Sequence, residues 1–244
     1  MVKTEKIIDI LEEFAPLDLQ EDWDNSGWQI NLRNSNVNKI MLSLNVTESV
    51  VEQAKQNNCD LIISHHPMIF SPQKCIRNKA IISAIQNNIQ VYSLHTNFDK
   101  AENGTTDILS RTLGYENTVK INDYVKYTNL ETLKDLDEII DGIKKALGIN
   151  KLKCSNYQKD KKISRIAFCA GAGGSFVRDL SAYNIDCFVT GDVKYHDALE
   201  SNTTLIDIGH FESEKISLKK IKEILSDLEV EIISSKEESI FEII

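Results

Sequence analysis

The stretch KIMLSLNVTESVVEQAKQNNCDLIISHHP, residues 39–67, decides the fold. Lys39–Leu44 is a short apolar run of strand length. Thr47 follows as an N-cap, its hydroxyl facing the orphan N–H groups of a helix predicted through Lys55. Leu61–Ser64 (LIIS) is a second buried strand. Strand, helix, strand is a crossover unit, which lays two parallel strands side by side with the helix on one face. The rhythm continues with a helix at Lys79–Gln86, a strand at Val91–Leu94 and a helix at Thr105–Leu113 ended by Gly114. Upstream, Thr4 is expected to cap a helix whose Ile7, Ile8, Ile10, Leu11 and Phe14 form an apolar face before Pro16 stops it.

The second half carries a weaker version of the same alternation. An amphipathic helix is predicted at Leu133–Leu147, ended by Gly148, then a strand at Ile163–Cys169 and a helix at Ser175–Tyr183. Strand Ile185–Thr190, a short helix near Tyr195–Leu199, strand Thr203–Ile208, helix Ser213–Leu228 and strand Val230–Ser234 complete the chain. This pattern argues for an α/β protein with a mostly parallel sheet. At about 150 residues per domain, 244 residues fit one large domain or two small ones. The softest point is Tyr115–Thr128, and the last helix and strand, packing back on the first half, would interlock two domains.

Lys plus Arg number 28 against 37 Asp plus Glu, a formal net charge of −9. An acidic chain without a basic cluster repels a phosphate backbone, so nucleic acid is not an expected partner. The five cysteines are odd in number and form no CxxC, and Cys169 and Cys187 sit in apolar runs as small core residues. That usage points to a reducing compartment. The N-terminal stretch lacks a signal-peptide core, and no apolar run nears the ~20 residues that span a bilayer. A cytoplasmic protein is expected.

Chemistry concentrates in the five histidines, His65, His66, His95, His196 and His210. LIIS leads into His65 and His66, VYSL into His95 and LIDIG into His210. Carboxyl ends of parallel strands form the functional edge of an α/β sheet, so these four are expected to gather on one edge. Asp99 follows His95 by four residues and Glu214 follows His210 by four. Histidine with carboxylate suits a divalent ion such as zinc, manganese, iron or nickel, and the absence of cysteine nearby argues against a closed structural zinc site. Any one of these residues alone reads as a polar strand-end group.

Three further segments have two readings each. Ala170–Ser175 (AGAGGS) is either a nest of N–H groups for an anion or a tight strand–helix turn that uses Gly for an unusual φ, and the turn is the simpler. Trp23–Gly27 (WDNSG) reads first as a capped turn with Trp23 in the core, and otherwise as a source of hydrogen bonds from Asp24 and Asn25. His196, in Tyr195-His196-Asp197, is a proton-shuttle candidate or a polar residue at a helix start.

SHHP at Ser64–Pro67, HTNFD at His95–Asp99, GDVKYHDA at Gly191–Ala198 and GHFESE at Gly209–Glu214, preceded by WDNSG, occur in one order. Together they resemble the GTP cyclohydrolase 1 type 2 family, also called the Ngg1-interacting-factor-like family. The resemblance implies two interlinked αβ domains with mostly parallel or mixed sheets, a metal site at strand ends between them, and a toroidal homohexamer. On this sequence the domains would be 1–120 plus 205–244 and 121–204; the inserted middle domain of longer relatives is not expected here. The resemblance puts a two-metal centre, two divalent ions per subunit, on His65, His66, Asp99, His210 and Glu214. His95 and His196 stand beside the ligand motifs as candidates for proton transfer. The implied activity is conversion of GTP and water to 7,8-dihydroneopterin triphosphate and formate. A metal-dependent phosphoesterase and a non-catalytic metal-binding ring acting as an interaction platform are the alternatives.

Overall fold

The computed structural model describes residues 1–241. The chain divides into two compact units, one formed by Met1–Gly104 with Ser217–Glu238, the other built on Thr105–Ile216. The divisions fall at 104/105 and 216/217, where the sequence expectation placed them near 120 and 205.

The first unit carries a five-stranded sheet in the order Glu231–Ser234, Lys39–Ser43, Leu61–Ser64, Gln90–Ser93, Gly27–Ile30. The first four strands are parallel and the last runs antiparallel to Gln90–Ser93. The last strand and the helix Ser217–Ile224 therefore do return to the first half. Met41, Ile62 and Val91 pack on one face against Val50, Val51 and Ala54 of the helix Glu48–Gln56 and Ala80, Ile81 and Ala84 of the helix Lys79–Gln86. Thr47 caps the first of these helices, its side chain accepting from Val50 N at 3.3 Å. Ser43, Ser64 and Ser93 stand in register across three neighbouring strands, so their exits share one edge.

The second unit has a six-stranded mixed sheet in the order Val119–Lys120, Lys126–Asp135, Lys162–Phe168, Cys187–Thr190, Thr204–Asp207, Lys153–Ser155. Its three parallel strands are Lys162–Phe168, Cys187–Thr190 and Thr204–Asp207. Strand side chains alternate between faces. Ile166, Phe168, Cys187, Val189 and Ile206 meet the apolar stripe Leu136, Ile139, Ile140, Ile143 and Leu147 of the helix Leu136–Leu147. Ala167, Cys169, Phe188 and Leu205 meet Val177 and Leu180 on the other face. Phe168 and Phe188 are fully buried, and each contributes about 1.5–3 kcal/mol by leaving water. All five cysteines are free. No helix among the described residues is long and apolar enough to cross a membrane.

Several expectations need correction. Thr4 does not cap: it lies inside the helix Thr4–Phe14, and its hydroxyl donates to Asn34 O at 2.7 Å, because the short pair Val2–Lys3 with Asn36–Val37 fixes the helix start. Leu133 is 63% exposed in a strand rather than helical, since Lys134 and Asp135 pair with Ile163 and Lys162. The segment after the glycine loop is 3₁₀ over Gly173–Tyr183. The helix expected from Ser213 begins at His210 and stops at Glu214, and a separate helix runs over Ser217–Ile224.

Candidate metal centre

In the first unit the sheet edge does what parallel register requires. His65 follows Ser64 directly, its backbone N donating to Ser43 O at 3.1 Å, and its side chain is fully buried. Its Nδ1 lies 2.7 Å from Leu94 O. A carbonyl only accepts, so Nδ1 carries the proton and Nε2 presents its lone pair. His66 has the same polarity: Nδ1 lies 2.8 Å from Asn45 Oδ1. Asn45 is itself held, because its backbone N donates to Glu237 Oε1 at 2.9 Å. His95 completes the set, with Nδ1 2.6 Å from Asp24 Oδ1. The rings stand 5.0–5.5 Å apart, and one nitrogen from each lies within 4.8 Å of the other two.

Asp24 does more than cap a turn. Its side chain is fully buried and accepts from Asn25 N, Ser26 Oγ, Thr96 N and Thr96 Oγ1 in addition to His95. Burial alone pushes its carboxyl up, but the bonds from His95 and Thr96 outweigh it and hold the group well below the usual carboxylate range. Trp23, expected in the core, is 59% exposed. Asp99, on the short helix Thr96–Lys100, places Oδ1 3.7 Å from His65 Nε2.

In the second unit Gly209, at φ +88°, turns the chain from the strand Thr204–Asp207 straight into the helix starting at His210. His210 Nδ1 lies 2.7 Å from Asp192 Oδ2 and Nε2 3.0 Å from Glu214 Oε2. Desolvation opposes the charged ring, yet Glu214 first and Asp192 second raise its pKa to about 9. The carboxylate beside this imidazole, that of Glu214, is nearly buried. The sequence offset of four marked Glu214, but Asp192 is 18 residues away and carried no comparable signal.

The glycine loop serves this group. Gly171 N donates to Ser213 Oγ at 2.9 Å and Gly173 N to Thr190 Oγ1 at 2.9 Å, so two of its N–H groups are spent inside the unit. A Cβ on Gly171 would meet Glu214 Oε1 at 2.2 Å, and Gly171 sits at φ +66°. The tight-turn reading describes these bonds. A Cβ on Gly191 would stand 2.8 Å from His210 N and 2.9 Å from Gly171 O, both backbone atoms that cannot swing away. Gly191→Ala is expected to lower stability by about 1–3 kcal/mol, the usual cost of overpacking, read as a shifted denaturant midpoint with an unchanged slope. His196 is exposed on the helix Tyr195–Glu200, its ring against that of Tyr195.

The donor chemistry fits a first-row divalent ion. Three imidazoles are oriented by oxygen acceptors so that Nε2 is the nitrogen each could offer to a metal or to a proton, and a histidine with a carboxylate one helical turn away offers a second set. Within the first unit the structure brings His65, His66 and His95 together with Asp99 close by, and within the second it brings together His210 and Glu214.

Known proteins resemble this chain over most of its length. The family profile described as Duf34/NIF3 (NGG1p interacting factor 3) matches residues 2–239. A "GTP cyclohydrolase 1 type 2 homolog" of Clostridium acetobutylicum is 37% identical over 231 residues, covering 87% of this chain and 85% of the relative. A Helicobacter pylori protein named "GTP cyclohydrolase 1 type 2" is 33% identical over 233 residues, 92% of each chain. The crystal structure of a Bacillus cereus protein related to NIF3 superposes with a TM-score of 0.91 at 21% identity, covering 100% of this chain and 99% of that one, and shows the shared fold.

Proposed function

We propose, for a chain that belongs to the Duf34/NIF3 family by its match over residues 2–239, a divalent-metal-dependent hydrolase that converts GTP and water to 7,8-dihydroneopterin triphosphate and formate. The observation that carries the metal reading is the common orientation of His65 and His66, each with Nδ1 against an oxygen. The substrate reading leans on the names of the curated relatives. His65, His66, Asp99, His210 and Glu214 would hold two ions, and the working assembly would be a homohexamer.

When bound, a metal pair supplies a hydroxide-like water near neutral pH and polarises the purine ring. The chain's own part is proton movement and binding. His95, its Nδ1–H directed at Asp24, keeps Nε2 as the atom that takes and returns a proton. His196 is the second proton carrier in this scheme.

The test is elemental analysis of the purified protein, light scattering for the assembly, and incubation of the metal-loaded protein with GTP. Formate release that disappears after chelation and returns with the ion is the expected result. Inorganic phosphate without formate would transfer the site to a phosphoesterase. Bound metal with no nucleotide turned over would make the protein a metal-binding platform.

A further inference from the structure

Two large aromatic side chains stand in solvent beside the histidine cluster of the first unit. Trp23 is 59% and Phe70 51% exposed. Their rings lie 5.9 Å apart, inclined at 43°. The His95 ring is 6.2 Å from Trp23 and 6.4 Å from Phe70, at 77° to both. Single exposed apolar residues need no explanation. These two differ because part-buried hydrogen bonds tie together the chain segments that carry them. Asn25 Nδ2 donates to Ile69 O at 2.5 Å, Ile69 N donates to Gln29 Oε1 at 3.0 Å, and Gln29 Nε2 donates to Asn25 O at 2.6 Å. The residue after Trp23 is the buried Asp24 that grips His95. Network and aromatics together form a rigid rim around the proton-carrying histidine.

We propose that Trp23 and Phe70 form a stacking subsite for a planar heteroaromatic ring, the base of the nucleotide, and deliver its edge to His95. This rests on reading the site as one that acts on a nucleotide. Aromatic faces stack on any π-face and leave the polar edge of the ring free for hydrogen bonding. A protein partner is disfavoured, since a specific interface needs more than about 1,000 Å² and this rim is two side chains wide.

Trp28 is the other of two tryptophans and packs on Tyr92, so Trp28→Phe leaves Trp23 as the sole indole reporter. The metal-loaded Trp28→Phe protein is titrated with guanosine and GTP, with adenine, pteridine and pyridine nucleosides or free rings, and with inorganic tripolyphosphate as a ring-free probe. Saturable quenching by ring-bearing probes and none by tripolyphosphate is expected. By calorimetry, Trp23→Ala and Phe70→Ala should each weaken ring binding about 5–150-fold, the fold-change of one base–aromatic stack, with metal content and assembly mass unchanged. If guanosine and GTP fail but another planar ring binds with the same Trp23 dependence, the subsite stands and the purine assignment falls. Parent-like affinity in both variants, equal quenching by tripolyphosphate, or no binding of any planar ring would overturn the subsite. A change in assembly mass in Trp23→Ala would overturn it too, by assigning the rim to a second copy of the chain.

Discussion

His65→Ala is expected to purify without its metal and without turnover. The side chain is fully buried at the centre of the cluster, with Nδ1 committed to Leu94 O and Nε2 on the side of Asp99. Losing a group that merely orients a ligand costs about 10–100-fold in metal affinity, so losing the ligand itself should exceed 100-fold. Elemental analysis after dialysis reads it directly. His95→Ala separates ligand from proton carrier. If His95 carries protons, that variant keeps its metal while turnover drops about 10²–10⁴-fold. Metal lost in His95→Ala as in His65→Ala would move His95 into the ligand set and leave proton transfer without a residue in this unit.

Asp24→Asn should be costly to the fold as well as to activity. The carboxylate accepts from five donors: His95 Nδ1, Asn25 N, Ser26 Oγ, Thr96 N and Thr96 Oγ1. An amide keeps one acceptor oxygen and turns an NH₂ toward donors, leaving buried groups unsatisfied. A loss of about 3–5 kcal/mol is expected, as for a broken buried pair. The pH dependence gives a second readout. The folded-state pKa of Asp24 is depressed, so its contribution is fully present above the unfolded value of about 3.9 and is lost as pH falls toward the lower folded value. The stability gap between parent and Asp24→Asn should therefore be constant from neutral pH down to about 5 and shrink on further acidification. A gap that widens in acid would show that Asp24 is not the ionised partner described here.

Local pattern determined a good deal of this protein. Runs such as KIMLSL and LIIS, the Thr47 cap and the Gly148 stop are short-range signals, and each governs backbone within one element. Parallel register then carries His65 and His95 to one edge, because Ser43, Ser64 and Ser93 align. The offset from His210 to Glu214 is a helical turn and is equally local. What escaped was long in range or polar. The strand Lys126–Asp135 has no apolar alternation and exists through pairing with Lys162–Phe168, so its last residues read as helix. Trp23 looked like a core residue because large apolar side chains usually are, but Asn25 and Gln29 bind the backbone of Ile69 and leave the indole outside. Asp24 meets His95 across 71 positions, Asn45 meets His66 across 21, and Glu237 meets Asn45 across 192. Residue type and spacing named the histidines. Which nitrogen each one presents was decided only when the folded chain brought a distant oxygen to the other, since a hydrogen bond acts over about 3 Å of space regardless of separation in sequence.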